Sequence, residues 1–214
     1  MKHIKQIFLD LDGPLLDGKK RHYQCYRSIL ESNGFKYIDI DEYWEKKRSL
    51  INHKDLLRLS GAGTIYNNFI TTWLEMIELP DMLALDKVQD GAIDCLRNWR
   101  DQGIELILIT MRKNKCTLEE QLVSTGLREY LDVVLASGYS DGGEGKADVV
   151  RKHYSAEQLE KYSLWIGDTE ADLIAAQSLR CDVVLISNGL RNEEYLNSLG
   201  NARVLSSIAL LKNL

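Results

Sequence analysis

The chain has 214 residues, 44% hydrophobic and 28% charged, proportions of an ordinary globular protein with one domain or one domain carrying a smaller insertion. Its formal net charge of −5 argues against a nucleic-acid partner, because phosphate backbones select basic surfaces. It leaves room for a small anionic substrate held by a few local donors and a metal. The opening MKHIKQIFLDLDG has one short apolar run broken at once by acids, which predicts neither a signal peptide nor a membrane span. The four cysteines (Cys25, Cys95, Cys116, Cys181) are scattered with no C-x-x-C pair, and read as buried, reduced thiols of a cytoplasmic protein.

In chain order, 7–9 predicts a short strand, and Gly13-Pro14 turns the chain after it. Tyr23, Tyr26 and Leu30 recur at helical spacing, with Gly34 as the stop. The charged stretch 41–59 is expected to be helical. Tyr66, Phe69, Ile70, Trp73, Leu74 and Ile77 fall on one helical face, read as core packing, and Pro80 closes that helix. Beyond Asp86 the pattern changes. A helix through Val88, Ala92, Cys95, Leu96 and Trp99 ends at Gly103, and 104–110 is a buried strand. A helix over 116–123, a strand over 131–136 and a Gly-rich loop over 137–145 lead into a helix opened by Lys146. Ser155 and Gln158 have the spacing of a capping box. The strand Leu164-Trp165-Ile166 runs into Gly167-Asp168; a helix through Ala176, a strand over 181–186, a short strand near Val204 and a last helix complete the chain.

This alternation predicts an α/β fold, a parallel sheet with helices on both faces. The all-helical block 17–84 interrupts it, and is expected to be an inserted cap on a core made of 1–16 and 85–214. In such sheets, ligands gather at the carboxyl ends of strands, where the strand order reverses. Asp10 and Asp12 follow the first strand, Thr110 the second, Lys146 the Gly-rich loop, and Asp168 and Asp172 the fourth. Singly, each is a common turn or cap residue. Together they are the parts of a phosphoryl-transfer site. A divalent cation on oxygen ligands removes the repulsion between a carboxylate nucleophile and a phosphate. A second acid two residues along faces the same side if the strand continues, and can serve as acid and base. A hydroxyl and an ammonium hold the transferring group.

The set Phe8-Leu-Asp10-Leu-Asp12-Gly-Pro, Leu108-Ile-Thr110, Gly145-Lys146 and Ile166-Gly-Asp168-Thr-Glu-Ala-Asp172 resembles the haloacid dehalogenase superfamily along the whole chain. The helical block resembles the cap of its phosphoglycolate-phosphatase-like and sugar-phosphate-mutase-like members. The resemblance implies a Rossmann-like core and a Mg2+-dependent phosphatase acting on a small phosphorylated metabolite through an aspartyl-phosphate. It implies Asp10 as nucleophile and metal ligand, and Asp12 as general acid and base with its carbonyl on the metal. Asp168 would be a metal ligand, and Asp172 would support the metal or pair with Lys146. Thr110, Lys146 and the Met111 position would bind the phosphoryl group. Two departures stand out. Pro14 replaces the usual Thr, losing a hydroxyl and an amide, and Met111-Arg112 replaces the usual small polar residue. Arg112 either reaches an anionic substrate or lies on the surface. His22 is read as a hinge or helix-start residue with its ring on the cap surface, the alternative being a substrate-gating role as in the mutases.

The competing readings are a phosphomutase, which would need a cationic cap residue such as Arg48 or Arg58 for a distal phosphate, and a receiver-like switch or phosphate-binding protein without turnover. A phosphonate hydrolase would need a Schiff-base lysine in the cap, for which Lys19, Lys20, Lys46, Lys47 and Lys54 qualify by location alone.

Overall fold

A computed structural model describes residues 4–138 and 142–214. Strand β1 (Gln6–Leu9) is wholly buried and lies at the centre of the sheet. A two-residue strand β2 (Leu16–Asp17) leads into helices α1 (Lys19–Ser32), α2 (Ile40–Arg48), α3 (His53–Leu59), α4 (Tyr66–Met76) and α5 (Pro80–Leu83). The chain returns through β3 (Lys87–Val88), which pairs antiparallel with β2. Then follow α6 (Ala92–Asp101), β4 (Glu105–Thr110), α7 (Lys115–Ser124), β5 (Val133–Ala136), α8 (Gly142–Arg151), α9 (Ala156–Tyr162), β6 (Ser163–Gly167), α10 (Glu170–Ser178), β7 (Asp182–Ile186), α11 (Glu193–Ser198) and β8 (Arg203–Leu205).

The main sheet has the order β5-β4-β1-β6-β7-β8, with all pairs parallel. Strand alternation divides its side chains between two cores. Ile7, Leu9, Leu106, Leu108, Leu164 and Ile166 pack on one face with Trp99 and Leu96 of α6. Phe8, Ile107, Ile109 and Trp165 pack on the other with residues of α8 and α10. Both faces are covered, as parallel sheets require. The α1–α4 helices form a core of their own around Tyr26, Tyr43, Leu57 and Phe69, with Tyr26 and Tyr43 stacked at 4.7 Å. Among the described residues no helix is long and apolar enough to cross a membrane.

Several elements differ from the sequence reading. The stretch 41–59 is two helices, because Leu50 adopts a left-handed φ of 65° and Asn52 caps a new helix by accepting the Asp55 N–H. Pro80 begins a helix rather than ending one; its missing N–H costs nothing at N1. Val88 is in a strand, paired with Leu16, and Gly91 at φ 79° starts the helix that was expected to include it. Within the expected loop 137–145, residues 139–141 lie outside the described residues, and 142–145 are helical. The glycines there allow close packing of helices: a Cβ on Gly143 would lie 2.5 Å from the Ala171 carbonyl oxygen of α10. Lys146 therefore sits inside α8 rather than at its start. The expected last helix is one 3-10 segment, Ile208–Leu211. Cys116 is exposed, because it lies on the solvent side of the first turn of α7, while the other three cysteines are buried as expected. The Ser155–Gln158 capping box is present.

Trp99 is fully buried and donates its indole N–H to the Leu211 carbonyl at 3.1 Å, tying α6 to the carboxyl-terminal segment. Trp99→Ala should cost roughly 3–5 kcal/mol through lost burial and a cavity, read as a lowered urea midpoint.

Candidate active site

Strand β1 stops at Leu9, and the next residue, Asp10, lines the crevice where the strand order reverses, with β4 on one side of β1 and β6 on the other. Its carboxylate is nearly buried. One oxygen accepts the Leu11 N–H at 2.8 Å; the other meets the Lys146 ammonium at 2.9 Å. Lys146 is fully buried and also meets Asp172 at 2.7 Å. Burial and the Asp172 charge push the Asp10 carboxyl up to about 7, although Lys146 pulls the other way. Burial works against the Lys146 ammonium, but Asp10 and Asp172 outweigh it and raise its pKa.

Asp172 is fully engaged. One oxygen takes Lys146 and the Trp165 indole N–H at 3.2 Å. The other accepts the Asp168 and Thr169 backbone N–H groups and the Thr169 hydroxyl, as the N3 member of the capping box that opens α10. Burial opposes its ionised form, but Lys146 and these donors hold its pKa below the usual carboxylate range.

Asp168 is the opposite case. One oxygen accepts the Leu190 N–H, while Oδ1 is buried with no partner. Burial, then the Asp10 and Asp172 charges, drive its pKa well above the usual value. Carboxylate oxygens of Asp10, Asp168 and Asp172 lie within 4.8 Å of one another. Three carboxylates against one ammonium, with one oxygen unsatisfied, form a hard-oxygen donor set that fits a divalent cation. Glycine backbones close around Asp168: a Cβ on Gly13 (φ 101°) or on Gly189 would lie 2.2 Å from its carboxyl group.

Asp12 is placed differently from the sequence argument. The strand has already ended, so strand periodicity does not set its direction. Its carboxylate is gripped by Arg112, Nε to Oδ2 at 2.9 Å and Nη2 to Oδ1 at 2.8 Å, and by Nη2 of Arg21. Burial tends to raise its pKa, but Arg112 and Arg21 outweigh it and hold the carboxyl at about 2. Arg112 is thus buried, and its surface reading is overturned. Sequence reasoning missed Arg21 and Asp86, which completes the group through Arg21 Nε at 2.8 Å and Gln121 at 2.8 Å. The available signal was Arg21, Cys25 and Ile29 at four-residue spacing, which puts the arginine on the buried face of α1.

Thr110 ends β4 in register with Ala136 and is buried; Met111 lines the crevice beside it. The crevice is a cavity of about 570 Å3 between these strand ends and α1, α2, α3 and α4. His22 lines it with its ring near Trp44 (5.9 Å) and Trp73 (5.6 Å), not on the cap surface, because two indoles offer the ring more contact than solvent does. Arg48 donates to the Ser187 carbonyl, and Arg58 is exposed and paired with Asp55, so both are engaged elsewhere.

Solved structures similar to this chain share its fold. A protein from Clostridium difficile provisionally described as a phosphatase matches with a TM-score of 0.78 at 17% identity, covering 100% of this chain and 99% of that one. A haloacid dehalogenase-like family hydrolase from Streptococcus pneumoniae matches at 0.74 and 17%, covering 99% and 98%. A Thermotoga maritima protein provisionally described as a beta-phosphoglucomutase matches at 0.68 and 19%, covering 98% and 97%. No curated protein matches the chain. A family model described as haloacid dehalogenase-like hydrolase matches residues 4–180, most of the chain, and carries every acid of the crevice, so the chain belongs to that family of hydrolases.

Proposed function

We propose that the chain is a phosphatase that hydrolyses a small phosphate monoester through a phosphoryl group carried on Asp10. The observation that supports this reading best is the buried set Asp10–Lys146–Asp172 beside the unsatisfied oxygen of Asp168. In it, Asp10 is the less hydrogen-bonded of the two carboxylates on Lys146, and it lines the cavity whereas Asp172 does not. Lys146 holds it in place and offers positive charge to the oxygens of an incoming phosphoryl group. Thr110 and the Met111 backbone would complete that cradle.

Asp10 and Asp168, with the Asp12 carbonyl, would hold Mg2+; the engaged Asp172 would act by fixing Lys146 and the α10 terminus. When bound, the metal would neutralise charge between the carboxylate and the phosphate. The reaction then runs in two displacements. An Asp10 oxygen bonds to phosphorus as the ester oxygen leaves, and water later attacks the same phosphorus and frees Asp10. Asp12 would give the proton to the leaving oxygen and take one from the water. While paired with Arg21 and Arg112, Asp12 is ionised, the form of a base. Its acid role therefore requires separation from the two guanidiniums. Residues 17–84 would act as a cap over the cavity, with 1–16 and 85–214 as the core; the separate hydrophobic cluster of α1–α4 supports that division.

Asp10→Asn should lower release of inorganic phosphate from an aryl phosphate by several powers of ten while leaving the circular dichroism spectrum intact. Retained turnover would exclude Asp10 as nucleophile.

Chelation should abolish phosphate release and added Mg2+ should restore it. Asp168→Ala should raise the Mg2+ concentration needed for half-maximal rate. Asp172→Ala should instead destabilise the fold by roughly 3–5 kcal/mol, because it leaves the buried ammonium short of a partner, read by thermal denaturation. Chelator-resistant activity would remove the metal from the reading.

A further inference from the structure

The helical wall of the cavity carries a second cluster that the chemistry at Asp10 does not use. Lys47, near the carboxyl end of α2, lines the cavity together with His22, Trp44, His53 and Trp73. Its ammonium lies 3.3 Å from His53 Nε2 and 5.5 Å from the centre of the Trp73 ring. The His53 and Trp73 rings are 5.0 Å apart. Among the described residues no carboxylate makes an ion pair with Lys47, whereas its neighbours Lys46 and Arg48 engage Glu42 and the Ser187 carbonyl.

An ammonium among rings and without an acid is an uncompensated charge. Burial, aided by the Arg191 and Arg21 charges, lowers its pKa to about 7. The same factors act on the neighbouring imidazoles. Burial and Lys47 bring His53 down to about 3, and His22 falls well below its ordinary value. Polar atoms around the niche also lack partners. The Trp73 indole N–H, on a side chain that is 4% exposed, has no acceptor, and His22 Nδ1 is buried with none. A buried donor without an acceptor costs about 1–3 kcal/mol. The Trp73 N–H is such a donor, and together with the unpaired cation beside it describes a receptor for something that accepts hydrogen bonds and is negatively charged. The nearby acids do not fill this role. Glu78 accepts the Lys113 and Asn114 backbone N–H groups, Glu170 is paired with Arg191, and Glu75 is exposed at the rim.

We infer that Lys47, with the Trp73 indole N–H and His22, binds a second anionic group of the substrate, so that the preferred esters carry a carboxylate or a second phosphate at the end away from the scissile phosphoryl group. The inference rests on the phosphatase reading for the position of the first phosphate and names the class of ester. One ammonium balances one negative charge, and the indole faces accommodate the aliphatic chain between the two anionic ends. Neutral polyol phosphates would leave Lys47 unpaired and gain nothing from the niche.

The test compares three esters on one aliphatic chain: 3-phosphooxypropanoate, propane-1,3-diyl bisphosphate and 3-hydroxypropyl phosphate, with their one-carbon-longer homologues. Binding to the Asp10→Asn protein is followed by tryptophan fluorescence, since Trp44 and Trp73 adjoin the niche, and turnover is followed with the wild type. One or both anionic arms should bind about 10- to 100-fold more tightly than the hydroxyl arm, the scale of one charge-assisted contact. Preference for the carboxylate alone assigns phosphorylated acids; preference for the bisphosphate alone assigns diphosphorylated substrates. Lys47→Met should erase the preference, Lys47→Arg should keep part of it, and Trp73→Phe should reduce it, while exposed Lys36→Met should preserve it. If Lys47→Met does not fold by circular dichroism, Lys47→Arg and Trp73→Phe carry the comparison. Equal binding of the hydroxyl and anionic arms, or a preference that survives both Lys47→Met and Trp73→Phe, would overturn the inference. Failure of the Asp10 reading would appear separately, as no turnover of any ester by the wild type with the binding preference still measurable.

Discussion

The site depends on a single buried ammonium. Taking the Lys146 charge out of water costs several kcal/mol, and only closely placed carboxylates offset it. Asp10 comes from the end of β1 and Asp172 from the first turn of α10, while Lys146 arrives from α8 on the far side of the sheet switch. Three segments distant in sequence are thereby held at one point. Asp172 is held in turn by the Trp165 indole of β6 and by the peptide N–H groups that begin α10. The nucleophile candidate is thus positioned by the same contacts that terminate the central strands.

A second charge group, next to the first, links the helical block to the sheet. Arg21 belongs to α1, Asp86 lies just after the block, and Asp12 and Arg112 follow β1 and β4. Two guanidiniums face two carboxylates, and Gln121 of α7 donates to Asp86 at 2.8 Å. The group is electrically balanced, which makes its burial tolerable, and it couples any movement of α1 to the direction of the Asp12 carboxylate. Lys146 binds its acids within the α/β core, whereas Arg21 reaches Asp12 from helices that have a core of their own.

The acids at the strand ends were legible because a buried strand must end where polar residues begin: the apolar runs 7–9, 106–109 and 164–166 are followed by Asp10, by Thr110, and by Gly167-Asp168. The two-faced sheet was legible for the same reason. What escaped was set by tertiary contact. Nothing local says that Gly143 serves the approach of α10, or that Leu50 takes a left-handed turn that divides a charged helix. Arg21 and Asp86 are 65 positions apart, and each alone resembles a surface residue. Lys47 was one lysine among several in the block; only the rings of α1, α3 and α4 closing around it distinguish it from Lys46.

The small antiparallel pair Leu16–Asp17 with Lys87–Val88 has a consequence for how such a chain can vary. The helical block leaves and rejoins the sheet through two strands lying side by side, and the Gln89 N–H bonds to the Leu15 carbonyl just beyond them. To the sheet, the whole block is therefore a hairpin loop. Its length and internal arrangement do not enter the register of β1 with β4 and β6. A different set of helices, or a much shorter connection, could span the same two strands with Asp10, Lys146, Asp168 and Asp172 left where they are. The shape of the cavity and the chemistry at its floor are, in this architecture, separately editable.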